Sequence, residues 1–126
     1  MKLGASLVIA AASMVLMAAE EPDVYDEACE AYQQGDYQCA VDTFRNAVVA
    51  GSAEAQLNLS VMYFLGQGVP ENPLSAYMWA TLAMESGIPR AEKLRNVFGN
   101  GLDDREIAAA VSRAALCKSS NFTICD

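Results

Sequence analysis

The sequence contains no histidine. That absence removes the most versatile general base, the Ser-His-Asp triad and the imidazole metal ligand together. No S-x-x-K or G-x-S-x-G run occurs either, so the usual signatures of a serine nucleophile are missing. There is no C-x-x-C pair to suggest a zinc site or a redox motif. Basic residues are scarce, 8 Lys and Arg against 16 Asp and Glu. Nucleic acid is therefore disfavoured as a partner, because phosphate contacts need clustered cations. No stretch alternates polar and apolar residues as a half-buried strand would. These gaps argue against an enzyme and imply neither a cofactor nor a metal.

What the chain does contain begins with an apolar run. Met1-Lys2 precedes a nearly unbroken stretch from Leu3 to Ala19, followed by Glu20-Glu21-Pro22-Asp23. One positive charge, an apolar core and small residues before an acidic break form the layout of a secretory signal peptide. Residues 1–19 are expected to be a leader cut after Ala19 or Ala18, leaving residues 20–126 as one exported domain. The alternative is an uncleaved membrane anchor, although the run is at the short end of the roughly 17–25 residues a spanning helix needs. Gly4, Ser6 and Ser13 dilute it further.

Charge is unevenly spread. From Glu20 to Glu71 there are ten acids and a single base, Arg45, whereas from Asn72 onward there are six of each. One end of the domain should project a negative field, compatible with a basic protein surface or a cation and also with a merely solvated acidic face. Adjacent acids at Asp26-Glu27 and Asp103-Asp104 point apart on a helix and read as caps and surface charges. Four cysteines, Cys29, Cys39, Cys117 and Cys125, in a short exported chain suggest a disulfide framework with three possible pairings.

Helix signals recur along the whole domain. Asp23 and Asp36 are placed to cap two helices separated by Gln34-Gly35, with Ala28, Ala31, Tyr32 and then Ala40, Phe44, Ala47, Val48 as inward faces. A third helix is expected from about Ala53 to Leu65, with Ala55, Leu59 and Tyr63 four apart on one stripe. Asn72 followed by Pro73 starts a fourth, carrying Ala76, Trp79, Ala80 and Ala83. Pro89 opens a fifth with Ala91, Leu94, Val97 and Phe98 inward. Asp103 and Glu106 form a capping box for the last, whose apolar stripe reads Ile107, Val111 and Ala114. Six helices with short breaks imply an all-α fold of about three stacked antiparallel hairpins, since one hairpin alone buries little.

Between Ala53 and Ala91 the spacing is more particular. Ala53, Ala55, Leu59, Tyr63, Gly66, Gly68, Val69, Ala76, Trp79, Ala83, Gly87 and Ala91 fall in the register of a Sel1-like repeat, including its G-x-G-V loop. The segment resembles that tetratricopeptide-like family, with Ser60 where a glycine is usual and Asn72 where an aspartate is usual. Ala31 to Phe44 resembles a degenerate preceding unit, and residues 91–117 a degenerate closing hairpin.

The resemblance implies an α-α superhelix acting as a non-catalytic protein–protein scaffold, often in the bacterial envelope or periplasm. It brings no catalytic residues. It implies a protein or peptide partner held on the first helix of each pair, where Asn58, Met62 and Leu65 lie off the packing stripe. In cysteine-rich members a C-x7-C spacing links a hairpin's end to the next helix, and Cys117 and Cys125 have it. Cys29 and Cys39 stand six residues before and four after Gly35. At 1.5 Å per residue both are roughly 6–9 Å up their helices, which suggests a second bridge between them. Cell-wall binding or processing, of muropeptides or β-lactams, and a membrane-tethered spacer with its leader retained are the alternatives.

Overall fold

The computed structural model describes residues 23–126, so the expected leader at residues 1–19 lies outside the described residues. Six helices follow one another: α1 (Val24–Gln33), α2 (Tyr37–Val49), α3 (Ala53–Leu65), α4 (Pro73–Glu85), α5 (Ala91–Gly99) and α6 (Asp104–Ser119). Among the described residues there is no strand, and no helix is long and apolar enough to cross a membrane.

The helix starts are set by side chains that satisfy otherwise orphaned backbone N–H groups. Asp23 accepts from the Tyr25 N–H, Asp36 from Cys39, Ser52 from Ala55 and Asn72 from Ser75. Asp103 accepts from the Glu106 N–H while the Glu106 carboxylate accepts from the Asp103 N–H, completing the capping box. Only α5 departs from this pattern. It begins at Ala91 behind Arg90, which makes no capping hydrogen bond.

Packing runs largely in chain order. α1 lies against α2, α2 against α3 and α3 against α4, while α5 and α6 both pack on α4. The last two helices thus flank a shared neighbour, where a closing hairpin had been expected to pair them chiefly with each other. α4 is consequently enclosed on several sides: Ser75, Ala76, Met78, Trp79, Ala80, Thr81, Leu82 and Ala83 are all buried. A helix apolar nearly all round is stable only inside a core. Trp79 is 2% exposed and is among the largest fully buried side chains, with Phe44, Leu57, Leu59 and Met62. Several buried polar side chains find partners, although the Trp79 indole N–H has none among the described residues. Thr81 donates to the Tyr77 carbonyl, Ser60 to that of Leu57, and Ser86 donates across to Gln56 Oε1 at 3.0 Å, tying the end of α4 to α3.

The inward faces of α2 to α4 match the expected stripes, as do Ala28 and Ala31 of α1, but Tyr32 is only partly buried and α6 is turned. Its buried residues are Ala110, Ala114 and Cys117, while Val111 is 47% exposed. Two stripes with helical spacing cross this segment. The one with small side chains lets α6 lie close against a crowded α4, and the disulfide at Cys117 secures that face. On α5, Ala91 and Phe98 point inward as expected, with Val97 outside.

The loop from Gly66 to Asn72 contributes directly to packing. Gly68 has φ +73, and a Cβ added there would overlap the Tyr37 carbonyl at the start of α2. The bare backbone of this loop is what allows α2 to sit so close. Gly35 also has a positive φ but would meet nothing within 4 Å. Gly35→Ala should therefore cost about 1–2 kcal/mol from the left-handed backbone alone. Gly68→Ala should cost about 1–3 kcal/mol beyond that, because backbone must move to relieve the overlap. Urea unfolding of the two variants separates them; equal midpoints would contradict the close approach.

Candidate functional site

A cleft of about 260 Å³ lies between α1 and α3, lined by Tyr25, Cys29, Tyr32, Gln33, Phe44, Asn58 and Val61. Four of these come from α1 at positions i, i+4, i+7 and i+8, which the helical repeat gathers on one face. The seam with α2 combines the buried Ala28 and Ala31 with two ring contacts, Tyr25 to Phe44 and Tyr32 to Tyr37 at 5.2 Å, and both tyrosines stay only partly buried. Phe44, 2% exposed, supplies the floor from α2, with its ring centroid 5.9 Å from that of Tyr25. Asn58 and Val61 form the far wall from α3.

The polar groups of the cleft are oriented by one another. Asn58 Nδ2 donates to the Tyr25 hydroxyl at 3.1 Å, and the Tyr32 hydroxyl donates to Gln67 Oε1 at 2.9 Å. Burial pushes the Tyr25 pKa above its usual value, against a lowering by the Asn58 hydrogen bond, and the neighbouring Cys29 and then the charge of Glu54 add to the rise. Tyr25 therefore stays protonated near neutral pH and retains a hydroxyl proton to donate. Apolar ring faces with a few hydroxyl and amide groups suit the recognition of side chains.

Of the residues expected to contact a partner, Asn58 lines the cleft. Met62 does not serve that role: it is 1% exposed and belongs to the hydrophobic core. α3 is covered by α2 on one side and α4 on another, so a position off one packing stripe falls on the other. Leu65 is 56% exposed at the end of α3 but lies outside the cleft lining. Sequence reasoning missed Tyr25, Cys29, Gln33 and Val61 and assigned Tyr32 and Phe44 to the core. The spacing of Tyr25, Cys29, Tyr32 and Gln33 was the available signal.

The cysteines also need correction. Cys117 and Cys125 are joined, but Cys29 and Cys39 are free. Equal height along two helices does not give equal direction around them. Cys29 turns into the α1–α3 cleft, while Cys39 is exposed on α2 beside the Thr43 hydroxyl. The bridged pair is consistent with an oxidising, extracytoplasmic location. Among the described residues no group of three Cys, Asp or Glu side chains is arranged to hold a metal ion.

A second cluster fastens the C-terminal segment. After α6, Asn121 and Phe122 take left-handed backbone conformations, φ 54 and 63, and the chain doubles back. The disulfide anchors this turn, and Asp126 reaches Arg45 and Tyr63. The Arg45 guanidinium pairs with Asp126 and donates to the Tyr63 hydroxyl, which itself donates to Asp126 Oδ2 at 2.8 Å. Burial first, and then the Asp126 carboxylate, push Tyr63 up to about 12. The folded state holds this proton more tightly than the unfolded chain, whose tyrosines titrate near 10. Its contribution to stability is complete below about pH 10 and is lost as pH rises toward 12.

Two measurements follow. In an ultraviolet titration Tyr63 should be the late step near pH 12. Tyr63→Phe should remove that step and flatten the fall in stability above about pH 10. Alkylation of the unreduced protein followed by mass measurement should add two groups, at Cys39 faster than at half-buried Cys29. Zero groups would mean that these two are bridged. Comparison with family models, curated proteins and solved structures finds no match to this chain.

Proposed function

We propose that the chain is an exported, non-catalytic scaffold of the Sel1-like, tetratricopeptide-like kind, which holds a segment of another protein in the cleft between α1 and α3. In this reading the hairpins α1–α2 and α3–α4 are successive turns of a short superhelix, with α5 and α6 closing the far end. The domain works in the periplasm or is secreted, where the Cys117–Cys125 bridge is stable.

The observation that carries the reading is the open tyrosine face of α1. Tyr25, Cys29 and Tyr32 are only partly buried: the two rings rest against Phe44 and Tyr37 of α2, yet both also line the cleft. Buried hydrophobic area would favour packing those rings away, so a face left open to receive side chains is best explained by a partner. The register of residues 53–91 with the repeat family and the absence of histidine chemistry support the same conclusion.

Crosslinking tests it. A photoreactive residue placed at Gln33, exposed and on the cleft edge, should trap a discrete partner in an envelope extract. The same probe at Arg105, exposed on α6, should not trap that protein. Identical products at both positions, or none at Gln33, would count against the cleft.

A further inference from the structure

We infer that the occupant of the α1–α3 cleft is a basic peptide segment, one that presents lysine or arginine side chains to the tyrosine faces and to the acids along the cleft edge. The inference rests on the scaffold reading above and specifies the chemistry of its partner. Charge complementarity carries it.

Asp26 and Glu30 each follow a cleft residue, Tyr25 and Cys29, by one position, which puts them about 100° further round α1. Both are exposed and fall on the side of α1 next to Gln33 at the cleft edge, outside the lining itself. Glu30 accepts from the Gln34 side-chain amide at 3.4 Å, a neutral donor that leaves its charge in place. Among the described residues neither Asp26 nor Glu30 belongs to an ion pair. On α3, Glu54 stands one helical turn before the wall residue Asn58 and is near enough to Tyr25 to act on it weakly through its charge. Glu54 is paired with Arg90 at 2.7 Å, but both side chains are well exposed to solvent. The one base between residues 23 and 71, Arg45, is committed to Asp126 and Tyr63. This half of the molecule therefore carries acids with little cationic compensation around an aromatic recess.

A lysine or arginine side chain matches both parts. Its aliphatic stem packs on the tyrosine rings, its charge is attracted by their faces, and its head reaches the carboxylates at the rim. An acidic segment would gain the same apolar contact but meet like charge. The recess is also below the roughly 300–1,000 Å³ usual for a small-molecule pocket, which suits one or two side chains of a longer segment.

The test uses labelled peptides of one leucine–alanine framework carrying lysine, glutamine or glutamate at the same positions. Binding to the intact domain is followed by anisotropy, and the site is located by NMR shifts of the Asn58 amide and the Tyr25 and Tyr32 rings. The lysine peptide should bind best and shift those signals. Its affinity should fall about two- to fivefold per neutralised acid in Asp26→Asn and Glu30→Gln, and should weaken with added salt as exposed charges are screened. Glutamine or glutamate peptides that bind equally well, with shifts at Asn58, would overturn the basic partner while leaving the cleft as a docking site. Lysine binding that leaves the Asn58 and tyrosine signals unmoved would be unspecific attraction and would overturn it too. Binding by none of the three would remove both the basic partner and the cleft reading.

Discussion

The burial of α4 is the constraint on which the other elements depend. Its sequence offers no continuous polar face, so every side must be covered. α3 covers one side and α5 and α6 cover others, while buried Trp79 borders α2 at Arg45, Asn46 and Val49 and the C-terminal segment from Phe122. At about 25 cal/mol per Å² of apolar surface, the enclosed Trp79, Met78 and Leu82 are among the larger favourable contributions to folding. The alanines between them let neighbouring backbones approach. A polar residue in place of Ala80 or Ala83, each fully buried, would leave an unsatisfied group in that interior.

This demand for coverage propagates outward to the candidate site. Because α3 is needed against α4, its Leu59 and Tyr63 stripe and its Leu57 side are both used internally. Only the Asn58–Val61 edge remains to face α1. α1 itself packs on α2 through Ala28 and Ala31 and through one edge of its rings, Tyr25 on Phe44 and Tyr32 on Tyr37, which leaves the tyrosines partly exposed toward α3. The cleft is thus the gap between two helices that each satisfy a different neighbour. Gly68 sets how closely the connecting loop approaches α2, and the Tyr32–Gln67 hydrogen bond ties α1 to that same loop.

The C-terminal segment adds a different kind of restraint. Its disulfide and the Arg45–Tyr63–Asp126 cluster join α6 back to α2 and α3, elements far apart in sequence. Ion pairs this exposed contribute little on their own, typically 0–1 kcal/mol. Combined with a bridge closing a short loop, for which roughly 2–3 kcal/mol is expected, they hold the doubled-back turn in place. None of this was legible in the sequence beyond the cysteine spacing, because Arg45, Tyr63 and Asp126 share no local pattern.

The sequence by itself determined that the chain is helical, where five of its six helices begin, and which faces of α1 to α4 turn inward. Those features follow from caps, proline, glycine and a 3.6-residue apolar repeat, all written in neighbouring residues. Tertiary structure decided the rest: that Ala110 and Cys117 rather than Val111 face the core, that Met62 is enclosed, that Cys29 and Cys39 part company, and that Tyr25 and Tyr32 flank a cleft. Each depends on rotation about a helix axis relative to a distant neighbour. Where two stripes on one helix are equally apolar, only the partner that arrives against it can choose between them.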